Sequence, residues 1–188
     1  MKLAGGAALL LAAWTGAALA DPAPITFNGV DFAFHHVGRI NNGWAAYYAP
    51  HGQDPEQSHD EIIVNYLDKT DGQGHSITAK GMAELMLGSI DAQGGKLIAP
   101  FAAPDPVYQG RLSYVMTFYY VYPRDKNGDI WRARIMQGDD RAFGVMFKHR
   151  IDGTDADDID ARIIAWLKDN MSTIRLDTIA LPPEPSHG

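Results

Sequence analysis

The part of the chain that most constrains its fold lies between residues 111 and 150, where three apolar and aromatic runs follow one another with only turn residues between them. "RLSYVMTFYYVYP" is apolar at successive positions, the pattern of a central strand covered on both faces. "DIWRARIMQ" alternates, with Trp131, Ala133 and Ile135 on one face and Arg132 and Arg134 on the other. "RAFGVMFKH" alternates in the same way, with Phe143, Val145 and Phe147 inward. Asn127-Gly128 and Asp139-Asp140 supply the turns, and strands joined this tightly must run antiparallel.

The remaining segments attach to that meander. "ITFNGVDFAFHHV", residues 25–37, reads as strand, and Asn42-Gly43 turns it into "WAAYYAP" through a type I′ hairpin. Residues 59–67 form a further strand and "KLIAPF" a short one. Met82, Leu85, Met86 and Ile90 recur at helical spacing, which predicts a helix over about 77–92, capped by Ser76 and stopped by Gly94-Gly95. A second helix is predicted over 156–171 from the stripe Ile159, Ile163, Trp166, Leu167 and Met171. Asp155, Asp157 and Asp158 stand at its positively polarised start. The class is α+β: an antiparallel sheet of about six to seven strands with helices packed on it.

The first twenty residues carry a different signal. Lys2 is followed by an Ala/Leu-rich apolar run that ends in the small-x-small box Ala18-Leu19-Ala20. That order of parts is expected of a secretory signal peptide cleaved after Ala20, which sends the mature chain to the periplasm. The competing reading is an uncleaved membrane anchor. Removing residues 1–20 of 188 leaves 168, one domain over 21–180 with a Pro-rich flexible tail, 181–188. The mature chain has a formal charge of −8, the −7 of the whole chain less the positive charge of Lys2. This disfavours nucleic acid and anionic lipid as partners. No further run is long and apolar enough to span a membrane. The absence of cysteine closes off lipid attachment at a lipobox, thiol nucleophiles and thiolate metal sites.

The order of elements, the length and the exported start resemble the Mog1/PsbP-like group over most of residues 25–180. That resemblance implies an α/β/α sandwich and a non-enzymatic binding or assembly role. It rests on architecture and transfers no site residue.

Candidate chemistry concentrates in "PHGQDPEQSHDE", 50–61, where His51, Asp54, Glu56, His59, Asp60 and Glu61 crowd one loop. Imidazole and carboxylate suit a divalent ion where thiolate is lacking, so His51, His59, Asp54 and Glu56 are the candidate metal ligands. No HExxH accompanies them, and a solvated loop is the competing reading. His35 and His36 are adjacent in a strand, so period two should send them to opposite faces, His36 with Phe32 and Phe34. Ser58-His59-Asp60 lacks a nucleophile elbow, and "DKNGD", 125–129, lacks the Gly and Glu of a calcium loop. One face of the Tyr-rich strand is expected under a helix, with an open binding face as the alternative. Arg132 and Arg134 could serve an anionic ligand, although a solvated face is the simpler expectation.

No complete catalytic set is present. The expectation is therefore an exported, non-enzymatic protein that binds a partner protein or small ligand, without cofactor. The alternative is a metal-dependent or acid/base enzyme built on the 50–61 loop.

Overall fold

Two successive residues in the left-handed region, Asn28 at φ 50° and Gly29 at φ 77°, split the N-terminal run that the sequence presents as one strand. In the computed structural model, which describes residues 22–104 and 110–179, β1 (Ile25–Phe27) folds back on β2 (Val30–Ile40). Further strands are β3 (Gly43–Pro50), β4 (Asp60–Leu67), β5 (Lys96–Leu97), β6 (Phe101–Pro104), β7 (Leu112–Tyr122), β8 (Asn127–Gln137) and β9 (Ala142–Asp152). Helices α1 (Ala79–Ala92) and α2 (Ala156–Asn170) and a 3-10 turn at Leu176–Thr178 complete the described residues. The expected signal segment, 1–20, and tail, 181–188, lie outside them.

The strand order is β1-β2-β3-β4-β9-β8-β7, with β5 and β6 sharing the far edge of β7. Every pairing is antiparallel, and the meander β7-β8-β9 expected from residues 111–150 forms its long-stranded centre. The expected α/β/α sandwich of six to seven strands is nevertheless wrong. The molecule is dominated by one nine-stranded sheet, with only two α-helices among the described residues. The count rises because the Asn28-Gly29 turn makes two strands of one, and because "KLIAPF" contributes two short edge pieces.

The sheet curls into a half-barrel. In a flat sheet, four strand spacings of ~4.8 Å would hold β1 about 19 Å from β9. Instead the Phe27 ring lies 5.3 Å from that of Phe147, centroid to centroid. The concave face gathers Phe27, Phe32, Tyr48, Ile62, Val145 and Phe147, and Ile174, Leu176 and Ile179 fill it from the C-terminal side. Arg134 belongs to the same face. The solvated position expected for it is corrected: it is fully buried and donates to the Leu176 carbonyl at 2.5 Å. A guanidinium can satisfy several carbonyl groups that no strand pairs, so it suits the place where an irregular segment crosses a sheet.

Both faces of β7 are covered, as its unbroken apolar run implies. Met116 and Phe118 pack with α1, and Tyr119 packs with α2. Two turns differ in detail from expectation. Ile40 pairs with Gly43, so Asn41-Asn42 is the two-residue loop, and Gly43, at φ 146°, begins β3. A Cβ on Gly43 would sit 2.1 Å from the Tyr66 carbonyl oxygen, which is why glycine stands there. Tyr122 pairs with Asn127, so the β7–β8 turn is residues 123–126 and Asn127-Gly128 starts β8.

The buried Tyr48 hydroxyl has no hydrogen-bond partner among the described residues, and burial pushes its pKa up to about 12. The unfolded phenol ionises near 10, so this contribution to stability is intact below pH 10 and lost as the pH rises toward 12. Tyr48→Phe removes an unsatisfied hydroxyl and should match or exceed wild-type stability by up to about 1 kcal/mol. Chemical denaturation at pH 8 and pH 11 should show a smaller alkaline loss in the variant. An equal loss in both proteins contradicts the assignment.

Candidate functional site

Helix α1 begins where the Thr78 hydroxyl accepts from the Gly81 amide at 3.1 Å, so Thr78 rather than Ser76 is the cap. The Gln137 side chain accepts from the Ala79 amide at 3.0 Å and ties the same end to the tip of β8. Ala79, Ala83 and Ile90 form the buried stripe, set on Met116, Phe118, Ala133 and Ile135 of the convex face. The alanines bring the helix close to β7 and β8, and the sheet surface toward β4 is left to one side of it.

That uncovered surface is low. Across the register, Gly38 stands opposite Ala45, Ala45 opposite Asn65, and Asn65 opposite Gly144, a row with little side-chain height. The result is a groove of about 360 Å³ between α1 and the sheet. Met82, Leu85, Met86 and Ser89 form its helix wall, at the spacing of one helical stripe. Its floor and far wall include Asn65, Gly144 and Met146, and the Asn41-Asn42 loop closes one end. Among the described residues, none that lines it is charged. Leu85 is 65% exposed at the rim, one of few large apolar side chains in that state. The helix stripe is legible as Met82, Leu85, Met86 and Ile90, whereas Asn42 reads only as a turn residue and Asn41 and Asn65 carry no signal. The three line one groove because the β2–β3 turn lies beside β4, and no local pattern announces that.

The polar groups of the loop 50–61 bond within its own turns and to neighbouring strands. Asp54 Oδ1 accepts from the Glu56 amide at 3.0 Å, capping its own turn. The His51 amide bonds the Asp31 carbonyl at 2.7 Å. His59 Nδ1 donates to the Arg150 carbonyl at 3.2 Å, and its Nε2 lies 3.4 Å from Asp152. Glu61 pairs with Lys148 at 2.7 Å. Among the described residues no three histidine or acidic side chains gather as a metal would need, so His51, Asp54, Glu56 and His59 are not brought together.

What the loop does supply is Asp60. Its carboxylate accepts from His149 Nδ1 at 2.6 Å, and the His149 ring lies against Trp166 of α2 at 4.3 Å, nearly parallel. His59, 6.4 Å from His149, shares an open cleft with His149, Trp166, Arg150, Asp152 and Arg162. His149 extends the inward series Phe143, Val145, Phe147 by one more step of two, so its face was readable in the sequence. Its partner in β4 was not.

The His35–His36 expectation is corrected. A bulge between Phe34 and His36 shifts the register, so His36 pairs with Tyr47 while Phe34 pairs with Tyr48 on the other face. His36 therefore leaves the face of Phe32 and Phe34 and stacks on Tyr47 at 4.4 Å. The two imidazoles do not diverge: their centroids are 4.9 Å apart, edge to face, and both residues are exposed.

No family model matches the chain, and no curated protein does. Comparison with solved structures finds the crystal structure of PA94, a protein of unknown function from Pseudomonas aeruginosa. The identity is 13% and the TM-score 0.42, over 89% of this chain and all of the other. That likeness is too distant to carry an argument about fold or function.

The Asp60–His149 pair links β4 to β9 and supports the stacking on Trp166. In a double-mutant cycle, Asp60→Asn and His149→Gln should show a coupling of about 1 kcal/mol, in keeping with a partly exposed charge-assisted bond. Additive losses would show that the two side chains do not interact.

Proposed function

We propose that the protein is an exported, non-enzymatic binding protein whose groove beside α1 takes an uncharged apolar segment of a partner protein. One observation carries the reading: a groove without a charged residue, walled by three methionines and an exposed leucine, in a chain of formal charge −7. Methionine side chains are flexible and polarizable and adapt to varied apolar shapes. Asparagine amides both donate and accept, as a peptide backbone requires. A volume of about 360 Å³ suits one or two large side chains, at the lower end of ligand-site sizes. Export is supported by the order of charge, apolar run and cleavage box in residues 1–20.

The acid/base reading has the Asp60–His149 pair in its favour, since a carboxylate that fixes one imidazole nitrogen is how a general base is oriented. No described residue lining that cleft carries a hydroxyl, so such a base would have to act on water or on the substrate itself. Binding is the reading better supported.

The neutral fluorophore N-phenyl-1-naphthylamine tests the groove directly. It should brighten with the mature protein, and Leu85→Glu or Met86→Glu should weaken binding at least tenfold, because each introduces a charge into an apolar wall. Leu85 is exposed, so its replacement should leave the fold intact. A photo-crosslinking residue at position 85 should then give a discrete protein adduct in periplasm. Unchanged dye binding in both variants overturns the groove, and an adduct with small molecules alone replaces the partner segment with a small ligand.

A further inference from the structure

We propose that a second cavity, between the 3-10 turn and the strands β6, β7 and β8, binds a carboxylate carried on an apolar body. The cavity holds about 260 Å³ on the concave side. Phe101, Val115 and Leu176 give it apolar walls, and Ser113, Arg132 and Arg175 stand among them. It is separate from the groove beside α1, which lies on the convex face and shares no lining residue with it.

The electrostatics point to an anion. Three guanidinium groups, Arg132, Arg134 and Arg175, meet one carboxylate, Asp177, in this corner. Arg134 is committed to the C-terminal carbonyl groups. Arg175 holds Asp177 through two bonds of 2.9 and 2.8 Å. Arg132 is left without a carboxylate partner among the described residues. Its Nη1 reaches the Met171 carbonyl and sulfur, each at 3.4 Å, and its Nε–H is shut off from water without an acceptor among the described residues. Burial lowers its pKa, Asp177 opposes that shift and Arg175 adds to it. A half-buried cation without a carboxylate partner is expensive, and an anion in the adjoining cavity offsets the cost of its charge.

The same features set the class of ligand. Arg132 lines the cavity without a carboxylate partner among the described residues, which calls for a negative charge, and the planar edge of a guanidinium suits the two oxygens of a carboxylate. A phosphate would ask for more donors than this corner offers. The apolar walls require an apolar substituent next to the charge. A fatty acid and the C-terminal carboxylate of an apolar peptide share that chemistry.

Calorimetric titration of the mature protein should use octanoate and octanamide for the first source, and N-acetyl-leucyl-leucine and its amide for the second. At least one acid should bind ten times more tightly than its own amide, and the acid that does so names the source. Arg132→Gln should abolish that preference, while Leu85→Glu should retain it, which keeps this site distinct from the groove. The unliganded Arg132→Met protein should melt at or above the wild-type temperature, since an unpaired buried charge has been removed. Equal binding of each acid and its amide, a preference that survives Arg132→Gln, or no binding of any probe overturns the proposal. So does a large loss of stability in Arg132→Met, which would give the guanidinium a structural task.

Discussion

A guanidinium in the floor of a curled sheet organises much of this molecule. Arg134 projects from β8 into the concave face, fully buried, and holds the Leu176 carbonyl at 2.5 Å with a longer contact to Ile179. The chain after α2 has no strand to pair with, so its carbonyl groups need donors from elsewhere. Arg134 supplies them and fixes the segment over the sheet. Ile174, Leu176 and Ile179 can then fill the hollow between the curled-over β1 and the meander. The sheet must curl for that hollow to exist, and the contact of Phe27 with Phe147 shows that it does.

The two faces of the sheet are consequently closed in different ways. On the concave side, one apolar cluster holds the 3-10 turn and the N-terminal hairpin and a second holds α2, with Trp166 packed against both, and Arg132 stands at the corner without a carboxylate partner among the described residues. On the convex side a single helix covers β7 and β8, and the small residues of β2, β3, β4 and β9 leave a trough beside it. Both cavities arise from the same cause. A wide sheet with two helices has more surface than those helices can cover, and the excess is where ligands can sit.

The meander and both helices could be read from the sequence because each is a local pattern: period two in 129–137 and 142–148, and period 3.6 around Met82–Ile90 and Ile159–Leu167. The architecture was less legible. Asn28-Gly29 lies within a continuous apolar and aromatic run, so one strand was expected where a turn makes two. Period two also assumes a regular strand, and one inserted residue at His35 was enough to move His36 to the other face. Arg134 was misplaced for a related reason: alternation tells which residues share a face, but not which face an irregular C-terminal segment will cover. The pairing of Asp60 with His149 needs β4 beside β9, a neighbour relation between segments about ninety residues apart, and no local signal encodes it.

If the concave core around Met136 is closed and the convex groove is open to an apolar ligand, the two regions must respond differently to one. Carbon-13 labelling of the methionine methyl groups reads both faces at once. On titration with N-phenyl-1-naphthylamine, the signals of Met82, Met86 and Met146 should shift, and that of Met136, buried in the concave core, should stay in place. Shifts confined to Met136, or spread evenly over all the methionines, would contradict that arrangement.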